Sequence, residues 1–218
     1  MTIRLMVDCE TLDTGERPVL LSIGAVAFND TEVLGFFEMG INSEDCKKHG
    51  FTVSQSTLDW WNKQETEARE VAFNGIYNLE IALTALCGFY KKYECEEVWS
   101  KGALADIRWI NNALDHFDIE HPWEYYKEFC FRTLLKSAPK FEIPFEGRPH
   151  VAIDDAIHQA KQFIHIKKMR SNQIHILIEQ GQVAMEQAKI IIQQGQRFNE
   201  MAQKLADVEF KLLQKDLA

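Results

Sequence analysis

The amino-acid sequence predicts an α/β domain built on a mixed central sheet, followed by a long C-terminal helical segment. Short apolar runs separated by turn residues come first, and strand-like and helix-like stretches then alternate, as is typical of mixed α/β domains. Beyond residue 171 the chain is rich in Gln, Ala, Ile, Lys and Glu and contains no proline. The 218 residues suffice for one sizeable domain with an appendage. We therefore expect a domain over residues 1–170 and a helical segment over residues 171–218.

The first three elements are predicted strands joined by short turns. Apolar runs occupy residues 3–7, 19–28 and 33–40, and a turn containing Gly15 and Pro18 separates the first two. Such short connections favour antiparallel pairing between consecutive strands. We therefore expect an antiparallel meander at the start of the domain.

The later elements alternate between helix and strand. Ser54 is a good helix N-cap before one helix, and a second helix is predicted over residues 78–93. A short buried strand over residues 98–100 precedes a helix over residues 105–116, and a further helix begins near Val151. This order places strands first and helix–strand units later, which predicts a mixed sheet.

Composition excludes several classes of protein. A net charge of −9 argues against a protein that coats nucleic acid by bulk electrostatics. No apolar stretch is long enough to span a membrane, and no secretory signal precedes the first strand, so we expect a cytoplasmic protein without a membrane partner. The cysteines are odd in number and lack C-x-x-C spacing, which favours reduced thiols over a structural zinc site. They are Cys9, Cys46, Cys87, Cys95 and Cys130.

Two acidic residues close the first predicted strand. Asp8 and Glu10 are two positions apart, so on a strand their side chains project from the same face. Two carboxylates held that close repel each other unless a cation lies between them. The pair therefore predicts a divalent-metal site at the edge of the sheet.

Further candidate ligands occur later in the chain. Asp106 follows the turn at Gly102, where on its own it would be a helix-initiating acid. His150 precedes Asp154 and Asp155. Which of these two aspartates can join His150 in one site depends on where the last helix begins. If His150 is helical, it shares a face with Asp154; if the helix begins after it, Asp155 can join the same site. The residues alone leave both alternatives open.

The order and spacing of these motifs resemble those of the DnaQ-like 3′→5′ exonucleases. The similarity covers residues 1 to about 170 and rests on three motifs: D-x-E-T in the first strand, an aspartate after a W-x-x-G turn, and H-x-x-x-x-D near the end of the domain. Within that family the set looks like the DEDDh subclass, which uses three aspartates, one glutamate and one histidine. The stretch from Trp60 to Gln64 and the Arg132–Thr133–Leu134 segment are similar to phage and prophage members of the RNase T-like branch.

The resemblance implies an RNase H-like (exonuclease) fold and a metal-dependent nuclease. By the family's spacing, Asp155 rather than Asp154 joins the site, and His150 takes a proton from the attacking water. Products would be nucleoside 5′-monophosphates released from 3′ ends of single-stranded or 3′-ended nucleic acid, with DNA favoured over RNA. The alternatives are an RNase T-like exoribonuclease and a non-catalytic nucleic-acid-binding scaffold. The expected cofactors are two divalent cations, Mg²⁺ or Mn²⁺, held by Asp8, Glu10, Asp106 and Asp155.

Three further residues are predicted to contact the substrate. Thr11 could contact the terminal nucleotide through its backbone or its hydroxyl group. Trp60 and Trp61 are neighbours on a predicted helix and diverge by about 100°, so one should pack in the core while the other lines the substrate groove. We assign Trp61 to the groove as a base-stacking residue, together with Gln64 as a hydrogen-bonding side chain.

The C-terminal segment carries an amphipathic stripe. Apolar or small residues recur at about three positions in seven, which is typical of a helix packed in a bundle. Two internal glycines allow either close helix–helix approach or a hairpin break near Gly195. Folding back on the domain is the simpler alternative, but the length of the segment favours a homo-oligomer formed through this helix. The stripe comprises Ile174, Leu177, Ile178, Gly181, Ala184, Met185, Ala188, Ile191, Ile192, Gly195, Phe198, Ala202 and Leu205.

Overall fold

The computed structural model describes residues 1–216, with side chains for residues 1–207. The strands are β1 (Arg4–Thr11), β2 (Leu20–Phe28), β3 (Val33–Gly40), β4 (Glu97–Ser100) and β5 (Glu128–Cys130). The helices are α1 (Ser43–Lys48), α2 (Gln55–Trp61), α3 (Thr66–Phe73), α4 (Leu79–Lys92), α5 (Asp106–His116), α6 (Phe131–Ser137) and α7 (Ala152–Asp216). A short 3₁₀ turn, Tyr125–Lys127, precedes β5.

The five strands form one mixed sheet in the order β3-β2-β1-β4-β5. Strands β1, β2 and β3 pair antiparallel, whereas β4 is parallel to β1 and β5 is parallel to β4. The predicted meander and the predicted α/β class are both confirmed. This order places β1 at the centre of the sheet, so the residues that end β1 lie at the middle of one sheet edge.

Both faces of the sheet are covered by helices. Alternate β1 residues such as Leu5 and Val7 join a core with α4 and α5, whereas Met6 joins a second core with α6 and the start of α7. Burial on both faces explains why consecutive residues Leu5, Met6 and Val7 of β1 are all apolar. Asp8 and Glu10 share the parity of Met6, so their side chains project toward the start of α7.

The start of α7 lies directly against the sheet. Gly24 of β2 is paired with Asp8 of β1, and a Cβ atom on Gly24 would overlap the backbone of Ala152 and Ile153. A glycine is needed here because only a missing side chain permits this approach. The contact brings the first turn of α7 to the acidic pair of β1.

Several elements differ from their predicted bounds. Strand β1 extends to Thr11, beyond the predicted 3–7, because Asp8 and the residues after it continue to pair with β2. Helix α3 and strand β5 were absent from the prediction. The N-cap of α3, Glu65, makes no side-chain capping hydrogen bond, and β5 has only three residues, so each carries a weak local signal.

The structure divides into two units, of which the first is Met1–Lys168 and the second begins at Met169. Within the second unit the chain is helical through Asp216, and the helix includes Gly195, the position of the alternative hairpin break. Side chains 170–207 are all exposed. In the described part of the chain, no helix is long and apolar enough to cross a membrane.

The contact at Gly24 leads to a stability prediction. Gly24→Ala should lower the free energy of unfolding by about 1–3 kcal/mol, because the new methyl group must displace the α7 backbone. Gly88→Ala is the matched control, since nothing lies within 4 Å of a Cβ at this α4 position. The control should gain up to about 1 kcal/mol from helix propensity. Urea denaturation measures both, and equal stability of the two variants would contradict the close approach of α7 to β2.

Candidate active site

Four carboxylates and one imidazole converge on a cavity at the edge of the sheet. The cavity has a volume of about 600 Å³ and opens to solvent. Strand β1 supplies two of the acids, α5 supplies one, the first turn of α7 supplies the fourth, and the segment before α7 supplies the imidazole. The five are Asp8, Glu10, Asp106, Asp155 and His150.

The β1 and α5 acids are held by backbone geometry. Glu10 is 8% exposed, and Asp106 is equally buried at the first position of α5. The N–H of Cys9, between Asp8 and Glu10, donates to Asp106 Oδ1 at 3.2 Å. This hydrogen bond joins α5 to β1 and fixes the Asp106 carboxylate beside the β1 pair.

The segment before α7 determines which aspartate joins the site. His150 has φ +65°, so it lies outside the helix, which begins at Ala152. Its N–H donates to Asp155 Oδ2 at 2.8 Å, whereas Asp154 accepts from the Arg148 N–H at 2.8 Å. Of the two aspartates left open by the sequence, Asp155 therefore lines the cavity, and Asp154 caps the preceding loop.

Three of these side chains have the spacing of a metal site. Ligand atoms of Glu10, His150 and Asp155 all lie within 4.8 Å of one another. Carboxylate oxygens are the ligands that hard divalent cations such as Mg²⁺ and Mn²⁺ prefer, and imidazole is compatible with Mn²⁺. The donor set therefore fits a divalent cation.

Burial disfavours the charged forms of Asp8, Glu10 and Asp106, and repulsion from neighbouring acids adds to this effect at Asp8 and Glu10. Burial raises the pKa of Asp8 well above its ordinary value, and the charges of Asp106, Glu10 and Asp155 raise it further. Burial, followed by the Asp155 and Asp106 charges, raises the pKa of Glu10 to about 8. Burial also raises the pKa of Asp106 to about 6, although the Cys9 N–H opposes the shift. A bound cation would offset this repulsion directly.

Of the predicted substrate-contacting residues, some line the cavity and others do not. Thr11 lines the cavity, and its hydroxyl group donates to the Asp13 carbonyl at 2.8 Å. Trp61 does not line it: the side chain is 1% exposed, and its Nε1 donates to the Thr11 carbonyl at 2.9 Å. The assignment of Trp61 to the groove is therefore corrected, because a side chain packed in the core is not accessible to a base.

Trp60 takes the position that was predicted for its neighbour. Its side chain is 39% exposed, lines the cavity, and packs edge-on against the His150 ring with centroids 4.9 Å apart. Gln64 donates from Nε2 to the Trp60 carbonyl at 3.0 Å and, among the described residues, is not part of the cavity lining. The expected divergence of the two tryptophans is observed, with their roles exchanged.

The sequence reasoning missed several residues that line the cavity. Gln159 lies one turn after Asp155, and this i, i+4 spacing could have identified it. Lys101 and Arg132 supply positive charge at the rim of an otherwise acidic site. The sequence indicates these two residues less clearly, because the position of Arg132 at the cavity depends on the pairing of β5 with β4.

Metal-free protein should lose stability as pH rises toward 8. The folded-state pKa of Glu10, about 8, exceeds its ordinary value of 4.5, so the folded state binds the proton more tightly. Its contribution is full below about pH 4.5 and is lost as pH rises through about 8. His158, whose pKa is lowered by burial, gives the opposite slope near pH 6.5, so the window to measure is about pH 7–8.5, where Asp8, whose pKa is also raised, adds to the fall.

Thermal melting in EDTA across that window measures the effect. The melting temperature should fall with pH, Glu10→Gln should flatten the fall, and added Mn²⁺ should reverse it. Glu44→Gln, on the exposed face of α1, is the control and should follow the parent protein. An equally steep fall in Glu10→Gln would contradict the raised pKa of Glu10.

Solved structures with the same fold include those of E. coli Exonuclease I. The complex with a dT13 oligonucleotide has a TM-score of 0.57 at 10% identity, covering 82% of this chain and 44% of that chain. The zinc-bound complex with single-stranded DNA has a TM-score of 0.58 at 10% identity, covering 82% and 43%. This chain thus spans less than half the length of those proteins. At this identity the likeness establishes the fold, which is α/β and RNase H-like. No curated protein matches the chain at a significant level.

The family comparison is more specific. The family described as the 3′-5′ exoribonuclease Rv2179c-like domain matches residues 3–166, which include the four carboxylates and the imidazole that converge on the cavity. The match extends over most of the chain and over the whole sheet with its covering helices. The chain therefore belongs to the Rv2179c-like 3′-5′ exoribonuclease domain family.

Proposed function

We propose that this protein is a metal-dependent 3′→5′ exonuclease that releases nucleoside 5′-monophosphates from nucleic-acid ends. The observation that carries the proposal is the convergence of four carboxylates and an imidazole on one open cavity. Membership in a family described as 3′-5′ exoribonucleases supports the same reaction. The acid cluster is costly for the fold, since burial and repulsion oppose its ionisation, and such a cost is typical of functional sites.

Asp8, Glu10, Asp106 and Asp155 would hold the cations, two Mg²⁺ or Mn²⁺ ions. When bound, such ions stabilise charge on the phosphodiester oxygens and make water a better nucleophile. The protein contributes fixed positions for the acids. Asp106 is oriented by the Cys9 N–H, and Asp155 is oriented by the His150 N–H. Both hydrogen bonds come from the backbone, so the carboxylates are held before any cation binds.

His150 would accept the proton of the attacking water. Imidazole can take a proton at neutral pH, and this ring lines the cavity beside Glu10 and Asp155. Its backbone is fixed by the hydrogen bond to Asp155, and its ring is fixed by the edge contact with Trp60. This arrangement supports a general base whose position does not depend on the substrate.

The rest of the lining suits the end of a single strand. Trp60 presents an exposed aromatic surface on which a base can stack, and Thr11 lies next to the acidic pair. Lys101 and Arg132 offer positive charge to backbone phosphates, which answers the problem posed by a net charge of −9. The family description names an exoribonuclease, so RNA is the first substrate to test. DNA, which the sequence analysis favoured, is tested beside it.

Matched RNA and DNA oligonucleotides labelled at the 3′ or 5′ end test the activity, with Mn²⁺, Mg²⁺ or EDTA. We expect metal-dependent shortening from the 3′ end to mononucleotides. Asp155→Asn should lower the rate by at least about 10²-fold, because one anionic ligand is lost. Asp154→Asn is the control: it changes the neighbouring carboxylate, which caps a loop, and should retain the rate within about two-fold. Equal rates in the two variants would sink the assignment of Asp155, and no cleavage of any strand by folded, metal-loaded protein would sink the nuclease proposal.

We also propose that the helix beyond residue 170 associates with a second copy of itself. Its large apolar side chains, including Ile178, Ile191 and Phe198, are more than half exposed, and a helix with such a surface is stabilised by burial against a partner. A small residue occurs every seven positions along the stripe, so two helices can approach closely there. These small residues are Gly181, Ala188, Gly195 and Ala202.

The flanks of this stripe favour a second copy over a charged partner. Association of identical helices brings identical side chains together, so charged flanks would repel each other. Here the flanks are mostly glutamine, and the acids lie on the opposite face, as Glu179, Glu186 and Glu200 show. The stripe can therefore face its own copy without electrostatic cost.

A single charge in the stripe should disrupt this assembly. Ala188→Glu in the full chain places a carboxylate at a small-residue position and should shift the mass measured by light scattering toward the monomer. Gln193→Glu adds the same charge on the outer face and should leave the mass unchanged. A parent protein that is already monomeric, or an unchanged mass in Ala188→Glu, would contradict association through this stripe.

A further inference from the structure

Gln159 of α7 is a buried amide within the acidic cluster. It is 2% exposed, although it lines the cavity, and it lies one helical turn beyond Asp155. A long polar side chain is seldom buried to this degree unless both of its polar atoms have partners.

The donor end of the amide is bound to a cluster carboxylate. Gln159 Nε2 donates to Asp8 Oδ1 at 2.8 Å, which joins α7 to β1 inside the site. This hydrogen bond lowers the pKa of Asp8, although burial and the neighbouring acids raise it more. Because a carboxylate oxygen accepts, the contact also determines the amide orientation: Nε2 faces Asp8 and Oε1 faces away from it.

The acceptor end of the amide has no donor within the described residues. Gln159 Oε1 is buried and makes no hydrogen bond to any described protein group. The amide is therefore held through Nε2 and its hydrogen bond to Asp8.

We propose that Gln159 is a positioning residue for the metal site, with Nε2 fixing the Asp8 carboxylate that would hold the divalent cation. This inference rests on the proposed function, since it assumes that the acidic cluster holds a cation. It assigns to α7 a second role beyond supplying Asp155. Residues that orient metal ligands in this manner typically change metal affinity 10–100-fold when removed.

Calorimetric titration of the full-length protein with Mn²⁺ alone tests the role of Gln159. Gln159→Met keeps the side-chain length but removes both polar atoms, and should weaken Mn²⁺ binding by about 10–100-fold. Gln162→Met is the matched control, because Gln162 also carries a buried Oε1 without a partner on α7 but lines a different cavity, beside Leu135 and Phe141. The control should bind Mn²⁺ within about two-fold of the parent protein.

A double-mutant cycle separates positioning from a general loss of structure. In the Asp8→Asn background, Gln159→Met should cost little further affinity, because its partner carboxylate is already gone. Melting in EDTA shows whether each variant folds, and Gln159→Leu serves if the methionine variant does not. Parental Mn²⁺ affinity in a folded Gln159 variant would overturn the inference.

The nuclease assay distinguishes the two proposals. A parent protein that binds Mn²⁺ but cleaves no strand would overturn the proposed activity, and the loss of affinity in Gln159→Met would still support the positioning role. A parent protein that binds no Mn²⁺ would overturn both. Normal cleavage and normal Mn²⁺ affinity in Gln159→Met would overturn the positioning role alone.

Discussion

The close approach of α7 to β2 at Gly24 is the constraint on which the rest of the site depends. Gly24 is the register partner of Asp8, so the backbone of Ala152 and Ile153 lies beside the acidic pair of β1. The first turn of α7 then presents Asp155 to the cavity, and the next turn presents Gln159. A side chain at residue 24 would separate the two halves of the site, although no atom of Gly24 belongs to the cavity lining.

The buried acids of the site destabilise the domain. Burial raises the pKa of Asp8, Glu10 and Asp106, and the charges of neighbouring acids raise the pKa of Asp8 and Glu10 further. Two apolar cores, one on each face of the sheet, offset this cost and keep the strands in register. Backbone hydrogen bonds from Cys9 and His150 then hold the acids in place, so that their separation is determined by the fold rather than by a bound ion.

How much could be predicted from sequence depended on whether the signal was local. Asp8 and Glu10 followed from strand periodicity, which needs only two neighbouring residues. Asp155 could not be chosen over Asp154 from the residues alone, because the choice depends on the φ of +65° at His150 and on the start of α7. Helical periodicity likewise predicted that the Trp60 and Trp61 side chains point in different directions, but it could not identify which of them faces the core. That choice depends on the Trp61 hydrogen bond to the Thr11 carbonyl, fifty positions away in the chain.

The two units also differ in where their stability comes from. The first unit, Met1–Lys168, carries its own cores and buries large side chains such as Trp61 and Phe131. The helix beyond residue 170 exposes every side chain through residue 207, so the proposed association would stabilise it, since isolated helices gain little from propensity alone. Glycines at 181 and 195 would weaken such a helix by about 1 kcal/mol each. They are favourable only if a neighbouring backbone approaches them closely, and the same glycines that destabilise a lone helix therefore favour a paired one.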